Sequence, residues 1–223
     1  MLMRRPGVIC LISRLQFPAI LILLNTVISV EAYIIDTDII AAKLTSGSFY
    51  ETKNYALIKI KNAFEVFNLD IFNLDGTLNK KNMRTVIFNN QHYKTILENI
   101  LHPLIYTEVL ELINQASIIT DDHKNHPYLI LVVPLLFKSQ KYLDLTSRNI
   151  FINCDQASLI ARILKRDNIT QNLALQIIAS QMDANLQRIM AQDILENSIN
   201  ISIEDLTQQV VSLHEKYLEL FSK

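Results

Sequence analysis

Residues 128–137 read YLILVVPLLF, an unbroken run without a charged side chain. A strand with one wet face alternates apolar and polar residues. A continuous run of this kind is buried on both faces, as strands are in parallel sheets covered by helices. NIFINC at 149–154 has the same character, and YII at 33–35 is a shorter β-branched and aromatic run that ends in the acids of IDTD. VICLI at 8–12 is a further candidate for a buried strand. Between and after them the apolar spacing turns helical, at 39–44, 55–67, 81–88, 91–101, 104–116, 156–165, 170–182 and 203–220. His102-Pro103 is expected to end the helix that starts near Gln91. A short strand-like piece is expected within 191–198, and LDGTLN at 74–79 is a turn built on Asp75-Gly76. Strands alternating with helices imply an α/β sheet with right-handed crossovers.

The chain of 223 residues suits one compact domain with small appended subdomains, and 50% of it is hydrophobic, ample for a core. A net charge of −1 removes the simplest argument for nucleic acid or an anionic membrane as partner. Its two cysteines, Cys10 and Cys154, are far apart and have no metal-type spacing, which points to a reduced, intracellular protein, with a single disulfide as the alternative. There are only three glycines: Gly7, expected just before the first strand, Gly47 and Gly76.

The stretch VICLISRLQFPAILILLNTVISVEA at 8–32 supports three readings. A secretory leader would use Arg4 and Arg5, the apolar run 17–24, and Val30 and Ala32 before a cut ahead of Tyr33, though Arg14 interrupts it. A spanning helix fares worse, because Gln16, Pro18 and Asn25 break a segment that is already short. The third reading is a buried strand, an apolar helix and a second strand. Local pattern alone leaves leader and strand–helix–strand open.

Taken in order, YIIDTDIIA (33–41), LDGTLNKKNMRTVIF (74–88), ILHPLI (100–105), VVPLLF (132–137), ARILKRDNIT (161–170) and DILENS (193–198) resemble the dephospho-CoA kinase family, collinearly from about Tyr33 to the C-terminus. The resemblance implies a P-loop NTPase-like parallel sheet flanked by helices, with helical substrate-binding and lid subdomains. It divides a single domain, 1–223, into a core (about 1–40, 128–160 and 190–223), a substrate subdomain (about 41–127) and a lid (about 161–189). It also favours strand–helix–strand over a leader at 8–32.

The activity so implied is phosphorylation of the 3′-hydroxyl of dephospho-CoA by ATP and Mg²⁺, the last step of coenzyme A synthesis, in the cytoplasm. Neither a nucleic-acid nor a membrane partner is implied. By position, Asp38 matches the general base, and Arg162 and Arg166, one helical turn apart, match residues that face the transferred phosphate. Asn197 falls on the adenine side, and Arg84 and His102 on the substrate side. Each has a plainer reading: Asp38 as the N-cap of a helix starting at Ile39, the arginines as solvated helix faces, Asn197 as a turn residue, His102 as a helix cap. No residue is assigned as a metal ligand.

One departure outweighs the others. The family's first strand runs into a glycine-rich loop, G-x-x-x-x-G-K-[ST], whose inward N–H groups, lysine and hydroxyl hold the phosphates and the metal ion. At that place this chain has SRLQFPAILI (13–22), with no glycine, no lysine and Pro18 inside. In register, Ile20 stands near the lysine position and Leu21 near the hydroxyl. Lys138 follows PLLF where the family has an acid, Ala42 stands where it has an arginine with Lys43 next to it, and Gln187 stands at a further arginine position with Arg188 next to it. The resemblance thus implies the kinase reaction, impaired by loss of phosphate binding. The alternatives are a non-catalytic relative that binds CoA or dephospho-CoA, and the product of a decayed or frameshifted gene.

Overall fold

A computed structural model describes residues 7–12, 33–51, 54–118, 128–133, 139–167, 169–179 and 183–221. Five strands form one sheet: β1 (Gly7–Ile12), β2 (Tyr33–Asp36), β3 (Tyr128–Val132), β4 (Arg148–Asn153) and β5 (Asp193–Glu196). Their order is β2-β3-β1-β4-β5 and every pairing is parallel. The continuous apolar run at 128 is therefore a strand next to the centre, all five residues buried. The segments expected as the loop and helix after β1 (13–32), and PLLF with Lys138 after β3, lie outside the described residues.

The chain divides into two compact units, one of residues 1–36 and 113–223 and the other of residues 37–112. The first holds the sheet, with α5 (Gln140–Leu143), α6 (Gln156–Asp167), α7 (Gln171–Ala179), α8 (Ala184–Met190) and α9 (Ile203–Phe221). The strand period of two sends Ile9, Tyr128, Ile130, Val132, Ile150, Ile152 and Leu195 to one face. There they meet Leu206, Val210 and Tyr217 of α9, spaced as one stripe of a helix. Gly7 is the first residue of β1 rather than the one before it, and a Cβ at that position would collide with the Phe221 ring.

α9 is also held by charge. Asp193, buried at the start of β5, accepts from Arg148 Nε (2.7 Å) and Nη2 (3.2 Å), from Lys216 Nζ (2.5 Å) and from the Tyr217 hydroxyl (2.8 Å). Burial by itself pushes this carboxyl upward, but the donations from Arg148, Lys216 and Tyr217 outweigh it and hold it below the ordinary carboxylate range.

The second unit contains α1 (Thr37–Leu44), α2 (Tyr55–Glu65), α3 (Lys80–Asn89) and most of α4 (Gln91–Ile118). Leu57, Ile60 and Phe64 of α2 close on Ile71 and Met83 to form its core. Asn54 and Asn79 cap α2 and α3 by accepting from the N–H of Leu57 and Asn82. The Asp75-Gly76 turn forms as its sequence requires: Gly76 takes φ +79°, and the Asp75 carboxylate accepts from the N–H and hydroxyl of Thr77.

Three local expectations are corrected. α4 does not end at His102-Pro103 but runs through it. Pro103 deprives only the carbonyl of Asn99 of its helical donor, both residues are solvent-exposed, and Leu101, Ile105 and Val109 continue the packed stripe. α1 begins at Thr37, so Asp38 stands in the first turn rather than at the N-cap. α8, with few core positions, gives no apolar period to read and is absent from the expected helices.

Asp193 anchors both β5 and α9. Its folded pKa lies below an unfolded value of about 3.9, so its contribution is complete above that value and fades as pH falls through the folded pKa. Asp193→Asn is expected to lower unfolding free energy by about 3 kcal/mol near neutrality, because two cations are left facing a neutral amide. Urea unfolding of both chains across acid and neutral pH checks this, and the gap between them should close only on the acid side.

Candidate functional site at the C-terminal edge of the sheet

In a parallel sheet all carboxyl ends lie along one edge, and in open α/β folds ligands bind outside that edge. Here β2 ends in Asp36, β4 in Asn153 and β5 in Glu196, the last two paired in register. The Asn153 amide donates to Glu196 Oε2 (2.7 Å), and Arg188 of α8 donates to Glu196 Oε1 (3.1 Å). Pairing continues one residue past the strand, where the Asn197 N–H donates to the Asn153 carbonyl (2.8 Å). The outer edge of β5 is covered by the Gln209 side chain, which accepts from the Glu196 N–H (2.8 Å) and donates to its carbonyl (3.2 Å).

Asn197 is buried, at 4% exposure. Arg162 lies two turns into α6 and its side chain leans back toward the helix N-terminus, as helical side chains do. It donates from Nη2 to Asn197 Oδ1 (3.3 Å) and from Nη1 to Cys154 Sγ (3.4 Å). Cys154 is a free thiol, pushed up by burial while the Arg162 charge pulls the other way. Asp155 caps α6: its carboxylate accepts from the Ser158 N–H (2.8 Å) and hydroxyl (2.5 Å), which brings its pKa to about 2.

Two of the residues singled out from sequence, Arg162 and Asn197, are thus in direct contact. The backbone of Arg166 lies in α6, and its side chain is outside those described. Asp38, Arg84 and His102 belong to the other unit. Asp38 is exposed on the first turn of α1, Arg84 is exposed on α3, and His102 is exposed in mid-helix on α4 and caps nothing. Lys43, next to the missing arginine, is paired with Glu108 at 2.9 Å, and Glu108 raises its pKa. Sequence reasoning missed Asn153, Asp155, Ser158, Glu196 and Gln209. Only Asp155 carried a signal, an acid standing between a strand and an amphipathic run.

Among the described residues, no three of His, Cys, Asp and Glu gather to hold a metal ion. No described helix is long and apolar enough to cross a membrane.

The dephospho-CoA kinase family model matches residues 22–202. Its span thus begins at the end of the segment where the glycine-rich loop is expected. A dephospho-CoA kinase of Nitrosospira multiformis is 31% identical over 196 residues, covering 88% of this chain and 89% of that protein. One from Acinetobacter baylyi is 33% identical over 185 residues, covering 83% and 85%. Among solved structures, a dephospho-CoA kinase from Campylobacter jejuni superposes with a TM-score of 0.66 at 23% identity, over 94% of this chain and 96% of that one. A Thermus thermophilus protein gives 0.71 at 18% identity, over 96% and 98%. These two show the same fold.

The Arg162 contact makes a chemical prediction. In a Cys10→Ser chain, the pH midpoint for alkylation of Cys154 is expected to lie above that of an ordinary thiol. Arg162→Ala should move it further up, since the guanidinium favours the thiolate. An unchanged midpoint would place the guanidinium away from the sulfur.

Proposed function

Because the chain belongs to the dephospho-CoA kinase family, we propose that its reaction is transfer of the ATP γ-phosphoryl group to the 3′-hydroxyl of dephospho-CoA, at a rate orders of magnitude below that of a relative with an intact phosphate loop. In this reaction the ribose oxygen bonds to the γ-phosphorus, the bond from that phosphorus to the β,γ-bridging oxygen breaks, and ADP leaves. Asp38 takes the hydroxyl proton. Arg162 and Arg166 offset the charge of the phosphoryl group in flight, Asn197 serves the adenine side, and Arg84 and His102 serve the substrate. We place the reaction in the cytoplasm, with the small molecule dephospho-CoA as partner and neither nucleic acid nor membrane.

The impairment rests on one observation, the composition of 13–22. Each charge-assisted hydrogen bond to a phosphate contributes about 1.5–3 kcal/mol. Ile20 and Leu21 supply none where the family has lysine and hydroxyl, and Pro18 has no N–H to give. Lys43, beside the absent arginine, is paired with Glu108. Mg²⁺ would neutralise the phosphates in the intact family site. In this sequence Leu21 stands at the place of the loop hydroxyl that would help hold it.

The same observation favours a second reading, a non-catalytic relative that keeps the dephospho-CoA side of the site. Turnover decides between them. Replacing 13–22 with a glycine-rich loop bearing lysine and threonine is expected to raise dephospho-CoA-dependent ADP production by about 10³-fold or more. In that restored chain, Asp38→Asn should lower kcat by about 10²- to 10⁴-fold. A restored chain that stays silent supports the binding role, and an unmodified chain at ordinary kinase rates refutes the impairment.

A further inference from the structure

One buried residue at this edge is singled out by neither family position nor sequence pattern. Ser158 is 3% exposed and sits on the first turn of α6. Its hydroxyl donates to Asp155 Oδ2 (2.5 Å) and accepts from the Ile199 N–H (3.0 Å). The Asp155 N–H in turn donates to the Ser198 hydroxyl (3.1 Å), and the Asn197 N–H to the Asn153 carbonyl (2.8 Å). The turn 197–199 is therefore stitched residue by residue to the segment 153–158 that opens α6, the helix carrying Arg162.

We propose that Ser158 is a positioning residue whose hydroxyl ties the 197–199 turn to the cap of α6 and so holds Asn197 and Arg162 in contact for nucleotide binding. The inference rests on the reading of this edge as the nucleotide site. A hydroxyl can do this because it is donor and acceptor at once. Its donor is committed to the Asp155 carboxylate, which leaves a lone pair for the Ile199 N–H. An alanine offers neither, and the N–H of Ile199 then loses its partner in the protein while the turn loses its link to the helix. The Arg162–Asn197 bond is long at 3.3 Å, so its persistence depends on both ends being fixed. Asp155 reads the link from the other side: at a pKa near 2 it stays ionised through all ordinary conditions and keeps the Ser158 proton pointed toward itself.

Two arms test this with Ser158→Ala. In the loop-restored chain, the KM for ATP is expected to rise about tenfold, with the larger part of the loss in KM rather than kcat, as one lost hydrogen-bonded link would give. In an Asn197→Ala background the same change should have little further effect, because Ser158 acts through Asn197. An unchanged KM, or an equal effect in both backgrounds, overturns the proposal. In the unmodified chain, hydrogen exchange at the Asn197 and Ile199 amides is expected to quicken while β3 amides keep their protection; unaltered exchange overturns the proposal without reference to catalysis. A restored chain that makes no ADP counts against the kinase reading alone, and the exchange arm then decides whether Ser158 positions the turn.

Discussion

A strand buried on both faces must pair its backbone along the sheet, since no water reaches it to satisfy an N–H or a carbonyl. β3, with all five residues buried, obeys this by lying between β1 and β2. The consequence reaches the chemistry. Most polar side chains of the sheet gather where strands end: Arg148 and Asp193 at the amino edge, Asn153, Asp155, Glu196 and Asn197 at the carboxyl edge. The amino-edge group binds α9 to the sheet. The carboxyl-edge group carries Arg162 and the short turn it touches.

What the sequence made legible follows the same division. Strands buried on both faces announce themselves, and those at 8, 33, 128, 149 and 193 appear where apolar and β-branched runs place them. Helices with a wide apolar stripe, such as α2 and α9, were equally plain. Pro103 misled because a proline is read from the bond it removes, whereas the helix depends on the stripe at Leu101, Ile105 and Val109 and on where the orphan carbonyl points. At the candidate site, single residues such as Asn197 and Arg162 could be picked out by resemblance. The links among them could not: Ser158 to Ile199 and Gln209 to Glu196 span 41 and 13 residues, and no local periodicity encodes such pairings.

The chain therefore combines an edge built with care and a phosphate-binding segment whose composition opposes its task. The cross-links at 153–158 and 196–199 satisfy each polar group they involve, and among the described residues no buried side-chain nitrogen or oxygen lacks a partner. The segment at 13–22 has no glycine and no lysine, and Ile20 and Leu21 stand where the family has its lysine and hydroxyl. Fold and edge depend on burial and pairing, which tolerate an apolar replacement there. Phosphate binding depends on glycine's backbone freedom and on a lysine, which do not.

The most direct test is calorimetric titration of the unmodified chain, separately with dephospho-CoA and with Mg²⁺–ATP, beside the loop-restored chain. The account predicts that both chains bind dephospho-CoA alike, and that the unmodified chain binds ATP about 10³-fold more weakly than the restored one. Equal ATP affinity in the two chains would contradict it, and would mean that groups other than the loop hold the phosphates.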